Sequence, residues 1–300
     1  MRFNNLILFI VPALIWGSTW YVIKFQLGVV DPLVSVGYRF VIAGLLLLVY
    51  CYFFKYNLKF KIREHFQMGL QGLFLFGLNY WLVYESEMFL TSGLVAISFS
   101  TLIFMNIIFG AIILRYQIKK SIVLGATLGI IGTGFMFHPE LEAYNFSDTN
   151  FIGLVMCLSG VVLASLGNIT SAYNQRKKIP VIQNNAYGML YGALMMFVIA
   201  LVTGRPFTFD TSFSYLSSLV YLVIFGSIIA FGCYLTLIGK IGADKAAYVI
   251  LVVPIVALII STIFENYQWT IHSVTGTVLI LAGNFLAMRK DKVKVSPQKS

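Results

Sequence analysis

The feature that most constrains this chain is a succession of ten hydrophobic runs separated by short polar connections. A helix needs about 20 largely apolar residues to cross about 30 Å of hydrocarbon, because each residue adds about 1.5 Å. By that measure the sequence predicts spans 1 to 10 at Leu6–Gly28, Leu33–Phe54, Phe66–Tyr84, Ser92–Leu114, Ser121–Phe137, Phe151–Tyr173, Gln183–Val202, Tyr215–Leu237, Ala243–Phe264 and His272–Met288. We therefore predict an all-α membrane protein of ten transmembrane helices.

Charged residues make up 11% of the chain and hydrophobic residues 59%, with a mean hydropathy of +0.87. Soluble domains carry about 25% charged residues, so this composition excludes a water-soluble fold. The net charge of +10 does not indicate nucleic-acid binding, because the basic residues punctuate hydrophobic runs instead of clustering on a soluble face. Cys51, Cys157 and Cys233 lack the paired spacing of a disulfide framework or a zinc site, and we expect no metal and no cofactor.

The positions of Lys and Arg predict the orientation of the spans. Basic residues concentrate at the two termini and in the connections that follow the even-numbered spans, whereas acidic residues fall mostly in the other connections. Cytoplasmic connections hold the excess of Lys and Arg in membrane proteins. The pattern predicts a multi-pass protein of a bacterial inner (plasma) membrane with both termini cytoplasmic.

The second half of the chain repeats the first at a shift of 151 residues. The shift aligns Ala96 with Ala247, Tyr116 with Tyr267, Gln117 with Gln268, Gly125 with Gly276 and Gly132 with Gly283. Because five spans is an odd number, the two copies must enter the membrane in opposite senses. Inverted repeats are typical of secondary transporters, whose substrate site lies between the repeats near mid-membrane. We predict repeats at residues 1–143 and 144–290 and a basic cytoplasmic tail at 291–300.

Pairs of small residues recur at a spacing of four within the spans. The pairs are Gly125/Gly129, Gly188/Gly192 and Ala257/Ser261. Small residues at this spacing let helix backbones approach closely. Tight packing within the chain is one interpretation, and a homodimer through these faces is the other.

Each half of the chain contains several short motifs. The first half has Leu14-Ile15-Trp16-Gly17-Ser18-Thr19-Trp20, Lys24, Pro32, Tyr38-Arg39-Phe40, Leu78-Asn79-Tyr80-Trp81, Tyr84 and Thr91-Ser92-Gly93-Leu94-Val95-Ala96. The second half has Gly226-Ser227, Ala230-Phe231, Tyr234-Leu235, Gly242-Ala243, Pro254, Glu265, Gly276 and Gly283-Asn284. Together these motifs resemble the ten-span, EamA-type members of the drug/metabolite transporter superfamily, over nearly the whole chain.

The resemblance implies two inverted five-helix repeats around a central cavity that opens alternately to each side of the membrane. It also implies transport of small metabolites, often outward, without fixing the solute. One departure is that the first half has Ile103 and Leu114 where the second has Pro254 and Glu265. Strict functional symmetry between the halves is therefore not expected.

Polar and aromatic side chains at membrane depth are the candidates for the wall of such a cavity. An unpaired polar group costs several kcal/mol in hydrocarbon, and a tyrosine or tryptophan offers an apolar body with one polar group. The candidates are Trp16, Thr19, Trp20, Asn79, Tyr80, Tyr84, Thr101, Asn168, Tyr191, Tyr234 and Tyr248. For the aromatic residues the alternative is packing or an interfacial belt, and for Thr101 it is a hydrogen bond to its own helix.

A second group of residues is assigned to gating or structure. Its members are Lys24, Arg39, Glu85, Pro254 and Glu265. We expect Lys24 and Arg39 to extend to the interface and pair with Asp31 or Glu85, or to attract an anionic solute. Pro254 is expected to kink span 9 or to act as a hinge.

The outer carboxylates Glu85, Glu87 and Glu265 are the only candidates for proton coupling that the sequence offers. None is predicted near mid-depth, so we expect no strongly committed proton carboxylate.

The sequence thus predicts a secondary transporter that exports a small metabolite, amino acid-like or another small organic solute, across the inner membrane by alternating access. The expected partners are this small molecule and the lipid bilayer. Motifs for zinc hydrolysis, a nucleophile elbow or an ATP-binding loop are missing from the sequence, which argues against an enzyme or an ATP-driven pump. The alternative is a non-transporting membrane sensor or assembly partner.

Overall fold

The computed structural model describes residues 5–115, 120–136, 138, 149–241 and 248–288. Within these ranges the chain forms ten helical spans. Spans 1 to 5 consist of Asn5–Ile23 with the 3₁₀ turn Lys24–Gln26; Pro32–Phe53; Ile62–Gln71, Gly72–Leu78 and Asn79–Glu87; Ser92–Phe99 and Leu102–Leu114; and Lys120–Met136. Spans 6 to 10 consist of Thr149–Arg176; Val181–Val202; Phe213–Tyr221, Leu222–Ile229 and Ala230–Ile241; Tyr248–Phe264; and Ile271–Met288.

Most of these helices are long and apolar enough to cross a membrane. Six candidate spans lie at Asn5–Gln26, Pro32–Phe53, Ser92–Leu114, Thr149–Arg176, Val181–Val202 and Phe213–Leu237. Shorter apolar helices lie at Val123–Met136, Val252–Phe264 and Ile271–Leu286. Span 3 is less apolar because Gln71 and Asn79 interrupt it. The chain is therefore the all-α membrane protein of ten helices that the sequence predicts.

The observed bounds agree with the predicted ones except at a few ends. Span 3 begins at Ile62 instead of Phe66, because the Glu64 side chain accepts a hydrogen bond from the Lys61 amide (2.6 Å) and caps the helix there. It also continues to Glu87, beyond Tyr84. The predicted end of span 5, Phe137, and the predicted start of span 9, Ala243, lie outside the described residues.

Spans 3 and 8 each contain a π-helical segment, at Gly72–Leu78 and Leu222–Ile229. A shift of 151 residues places the first segment inside the second, so the two halves share this irregularity as well as their sequence pattern. The Ser227 hydroxyl donates to the Leu222 carbonyl, five residues earlier (2.9 Å). π segments are rare in proteins, and those that occur often lie at functional sites. The matched pair therefore indicates that the region between spans 3 and 8 is a candidate functional region.

The contacts between spans follow an inverted two-fold pattern. Span 1 packs on spans 8 and 9, and its counterpart span 6 packs on spans 3 and 4. Span 2 packs on its own counterpart, span 7, and span 5 on its counterpart, span 10. The main contacts made by one half are therefore made again by the other, as expected for two inverted five-helix repeats.

Glycines let two pairs of spans approach at backbone distance. A Cβ at Gly72 of span 3 would lie 2.1 Å from the carbonyl oxygen of Gly188 in span 7. A Cβ at Gly132 of span 5 would lie 2.8 Å from the carbonyl oxygen of Gly276 in span 10. The predicted small-residue faces thus pack inside the chain, including Ser261, whose Cβ would lie 3.0 Å from a Cβ at Gly93. A homodimer would need a different surface.

Buried amide clusters clamp opposite ends of the two halves. Where spans 1, 2 and 8 meet, the Gln26 amide donates to the Tyr215 carbonyl (2.9 Å) and accepts from the Ser35 hydroxyl (3.0 Å). Where spans 3, 6 and 7 meet, the Asn184 amide donates to Gln71 Oε1 (2.6 Å) and accepts from Asn174 (3.2 Å). These span triplets are equivalent in the two repeats, so neutral hydrogen bonds hold both ends in a similar way.

Candidate substrate cavity

A cavity lies at mid-depth between spans 1, 3, 4, 6, 8 and 9. Its lining residues are Trp16, Thr19, Trp20, Ile23, Leu75, Asn79, Tyr80, Val83, Phe99, Leu102, Ala164, Asn168, Phe231, Tyr234, Ile250 and Val253. The wall is mostly apolar and aromatic, with amide, hydroxyl and indole groups at a few positions. A wall of this kind suits a small organic solute with both apolar and polar parts.

Span 1 contributes one helical face to the cavity, because Trp16, Thr19 and Trp20 are spaced three and four residues apart. The Trp16 ring meets the edges of the Phe231 and Tyr234 rings, with centroids 5.0 Å apart in each pair. Its indole N–H donates to the Gly226 carbonyl (3.2 Å). Trp16 therefore joins span 1 to span 8 and does not face lipid.

Two asparagines place amide groups at the cavity. The Asn79 side chain is 2% exposed, and its N–H donates to the Leu75 carbonyl one turn earlier (3.2 Å). Its Oδ1 has no hydrogen-bond partner among the described residues. Asn168 donates to Asn106 Oδ1 (3.4 Å). Since a buried amide oxygen without a donor costs roughly 1–3 kcal/mol, Asn79 is a candidate to accept a hydrogen bond from a solute or water.

Three of the residues predicted from the sequence, Thr101, Tyr84 and Tyr191, are not among the described residues that line this cavity. The Thr101 hydroxyl donates to the Ser98 carbonyl of its own span (2.7 Å), which is the local alternative that the sequence allowed. The Tyr191 hydroxyl bonds His65 Nδ1 (2.9 Å) near the beginning of span 3, because span 7 packs outside the cavity-forming spans. Tyr84 is fully buried beside Arg39, and the side chain of Tyr248 lies outside the described part of the chain.

Several lining residues were missed because they are apolar and carry no chemical signal. The internal repeat, the helical spacing and the position of Pro254 were the sequence features able to find some of them. Shifting the predicted Tyr80 by 151 residues gives Phe231, and the two aromatic rings lie on the same wall with centroids 6.3 Å apart. Val83 follows Asn79 by one helical turn on the same face. Ile250 is four residues before Pro254, which has no N–H to bond the Ile250 carbonyl.

Lys24 forms an ionic cluster one residue beyond the lining residue Ile23. Its ammonium donates to the carbonyls of Glu87 and Leu90, at the end of span 3. It also lies 3.5 Å from Glu87 Oε2 and 3.8 Å from Glu265 Oε1. Glu265, at the end of span 9, accepts bonds from the amide (3.1 Å) and hydroxyl of Ser92. The cluster therefore ties spans 1, 3, 4 and 9 together at the face where span 1 ends.

The pairings expected for Lys24 are wrong, because other groups occupy both predicted acids. Asp31 pairs with Arg205 (3.4 Å), and Glu85 accepts from the Trp81 indole (3.0 Å). Glu87, two residues after Glu85, faces Lys24 instead. Its side chain is fully buried, and neither carboxyl oxygen has a hydrogen-bond partner in the described part of the chain.

Arg39 does not extend to the interface as the sequence predicted. It is 0% exposed, and its Nε donates to the Ser227 hydroxyl of the π segment in span 8 (2.9 Å). Nη1 lies 3.4 Å from the Tyr84 hydroxyl, and the guanidinium carbon lies 4.6 Å from the centre of the Tyr80 ring. The prediction failed because hydropathy gives the depth of a residue but not the partners on neighbouring spans that hold it inside.

Ten helices in two inverted halves around a mid-membrane cavity define a polytopic membrane transporter. The sequence matches the model of the EamA-like transporter family over residues 4–138 and 151–289. Because this match covers most of the chain, the protein belongs to the EamA-like transporter family. The family is one of transporters and not of enzymes.

Several proteins align with nearly the whole chain at low identity. The chain is 25% identical to Protein PagO of Salmonella typhimurium (94% of this chain, 92% of the relative) and 27% identical to the uncharacterized inner membrane transporter YedA of Escherichia coli K12 (93% and 91%). It is 25% identical to the uncharacterized transporter YoaV of Bacillus subtilis (91% and 93%). A crystal structure with 16% identity has the same fold, with a TM-score of 0.68 over 94% of this chain and 96% of that one.

Proposed function

We propose that this protein is a secondary transporter of the inner (plasma) membrane that exports a small organic solute, amino acid-like or similar, by alternating access. Both termini are cytoplasmic in this proposal, as the distribution of Lys and Arg favours. The two repeats, residues 1–143 and 144–290, rock against each other around the cavity. The tail at 291–300 extends on the cytoplasmic side.

The observation that carries the proposal is the composition of the cavity wall. Polar groups at mid-membrane depth are costly unless they are paired or hydrated, so unpaired ones indicate a pathway for a solute or water. Asn79 lines the cavity together with Trp16 and Tyr80, and its buried Oδ1 has no donor among the described residues. A solute with an N–H or O–H group and an apolar body complements such a wall.

The Lys24 cluster provides a gate at the outer face. Lys24 follows the lining residue Ile23, and Glu87 follows the lining residue Val83 by one turn. Glu265 brings span 9 of the second repeat onto spans 1 and 4 of the first. Rocking the repeats apart on this side has to break the contacts of Glu265 with Lys24 and Ser92, so the cluster keeps the outer side closed.

The test is counterflow in proteoliposomes with radiolabelled amino acids, nucleosides and other small metabolites. The parent protein is compared with Trp16→Ala and Asn79→Ala, which change the cavity. Trp269→Ala is the matched control, because Trp269 is 47% exposed, lies just before span 10 and does not line the cavity. Thermal unfolding and gel filtration in detergent establish that each variant folds.

The expected result is saturable movement of one solute class, lost or strongly slowed in both cavity variants and kept in Trp269→Ala. If well-folded protein moves no solute in either direction, the transport proposal fails and the sensor or assembly alternative gains. If transport persists at the parent rate in both cavity variants, the solute uses another route and the cavity assignment is wrong.

A further inference from the structure

Arg39 is a buried cation without a carboxylate partner in the part of the chain that the structure describes. It is the largest of the fully buried side chains, at 0% exposure. Each of the six described carboxylates has another contact, and no ion pair within 4.0 Å joins any of them to Arg39. These carboxylates are Asp31, Glu64, Glu85, Glu87, Asp210 and Glu265.

The groups around the guanidinium orient it but leave its charge uncompensated. Nε donates to Ser227, and the contacts to Tyr84 and Tyr80 involve a neutral hydroxyl and a neutral ring. Nη2 has no hydrogen-bond partner among the described residues. A buried charge is costly unless it is paired, and a guanidinium offers five N–H donors in a fixed plane that matches carboxylate and phosphate groups.

The free end of Arg39 lies directly behind the cavity wall. A Cβ at Gly226 would lie 3.1 Å from Arg39 Nη2 and 3.0 Å from Thr19 Cγ2, so the guanidinium and this lining residue approach each other where Gly226 has no side chain. The Gly226 carbonyl accepts the indole N–H of Trp16, another lining residue. Tyr80, whose ring lies under the guanidinium, also lines the cavity.

Lys24 does not supply a second free positive charge to the cavity. Its ammonium is shared between Glu87 and Glu265 and donates to two backbone carbonyls. The positive potential at the part of the wall formed by Thr19 and Tyr80, next to Gly226, therefore comes from Arg39. Building on the transport function proposed above, we propose that the transported solute carries an anionic group, a carboxylate or a phosphate, which lies against this wall and is selected by the charge of Arg39.

The experiment uses pairs of radiolabelled solutes in proteoliposomes of the full-length protein. In each pair the charged member carries the anionic group, and the neutral member carries an uncharged group at the same place. One series pairs amino acids and other carboxylates with their amides, and a second pairs sugar phosphates with the parent sugars. Both series are needed because an arginine guanidinium binds carboxylates and phosphates alike. Arg39→Gln removes the charge, and Arg39→Lys keeps the charge without the fork. Arg205→Gln is the matched control, since Arg205 is 53% exposed and pairs with Asp31 at the surface.

We expect saturable transport in only one charged series, with the neutral partner of each solute at least about 10-fold slower. Arg39→Gln lowers kcat/KM for the charged solute by about 100-fold, the effect of one unit charge about 6 Å away at an effective dielectric constant near 20. Arg39→Lys loses less, because it keeps the charge. Arg205→Gln keeps the parent value.

A second measurement uses only the parent protein, so its result does not depend on whether a variant folds. In detergent, the charged member of the transported pair raises the melting temperature in a saturable way, and the neutral member at the same concentration does not. Equal transport of charged and neutral members, or parent kcat/KM in folded Arg39→Gln, overturns the anion proposal while the transport function stands. If neither series nor any uncharged metabolite moves, the transport function is refuted, and the anion proposal with it.

Discussion

Replacing Lys24 by methionine is expected to destabilise the protein through Glu87, the acid that Lys24 neutralises. Glu87 Oε2 lies 3.5 Å from the Lys24 ammonium, and neither carboxyl oxygen has a hydrogen-bond donor in the described structure. Without the ammonium, a fully buried carboxylate has no cation and no donor. Removing one partner of a buried ion pair costs about 3–5 kcal/mol, and the partial exposure of Lys24 (27%) places the expected loss at about 3 kcal/mol.

A double-mutant cycle separates this effect from lost packing of the Lys24 side chain. Glu87→Gln removes the charge that needs neutralising, so the pair Lys24→Met with Glu87→Gln is expected to recover most of the loss, to within about 1 kcal/mol of Glu87→Gln alone. The free energy of unfolding is measured in mixed micelles by SDS titration, followed by tryptophan fluorescence and circular dichroism. Lys59→Met, an exposed lysine in the connection before span 3, is the matched control.

Two outcomes would refute this reasoning. Unfolding of Lys24→Met at the parent SDS concentration means that the pair contributes nothing. A double variant as unstable as Lys24→Met alone means that the loss comes from the lysine chain and its carbonyl contacts and not from the stranded carboxylate.

Three further predictions concern positions that the structure distinguishes by their neighbours. Gly72→Ala is expected to lose about 3 kcal/mol or more in the same SDS titration, because the new methyl would lie 2.1 Å from a backbone oxygen of span 7; Gly134→Ala, where a Cβ meets no described atom within 4 Å, is expected to keep or slightly raise stability. Thr101→Val is expected to leave the KM of the transported solute unchanged, since its hydroxyl bonds its own helix. Tyr191→Phe removes the bond to His65 and is expected to lower the melting temperature slightly without changing KM.

The sequence was sufficient for the number, length and inverted arrangement of the spans, because these follow from hydropathy, from the placement of Lys and Arg, and from the 151-residue shift. It was not sufficient to predict how each helix is rotated about its axis, and so which of its residues face a given neighbour. Glu85 and Glu87 are two residues apart, about 200° around a helix, and hydropathy does not tell which of them faces Lys24. The π segment before them, Gly72–Leu78, turns the later residues of span 3 away from the regular register and makes the choice harder.

The same limit explains the mixed outcome for aromatic residues. Trp16 and Tyr234 meet at the cavity because spans 1 and 8 are neighbours in the fold, whereas Tyr191 belongs to span 7, which packs on spans 2 and 3 away from it. Both kinds of position have similar composition and depth in the sequence. Only the contacts between spans separate a tyrosine at the cavity from one that packs elsewhere.

The charges of the two halves differ at the positions of the ionic cluster and of Arg39, although the helices of the two halves match. At the 151-residue shift, Lys24, Glu87 and Arg39 correspond to Gln175, Ile238 and Leu190, and Glu265 corresponds to Leu114. The buried amide clusters recur at both ends, whereas the described residues of the ionic cluster and Arg39 have uncharged counterparts at this shift. An inverted repeat with equal gates would have two closed states of similar energy. In the mechanism proposed above, charges without counterparts make the two closed states unequal, which the shared helical framework alone would not do.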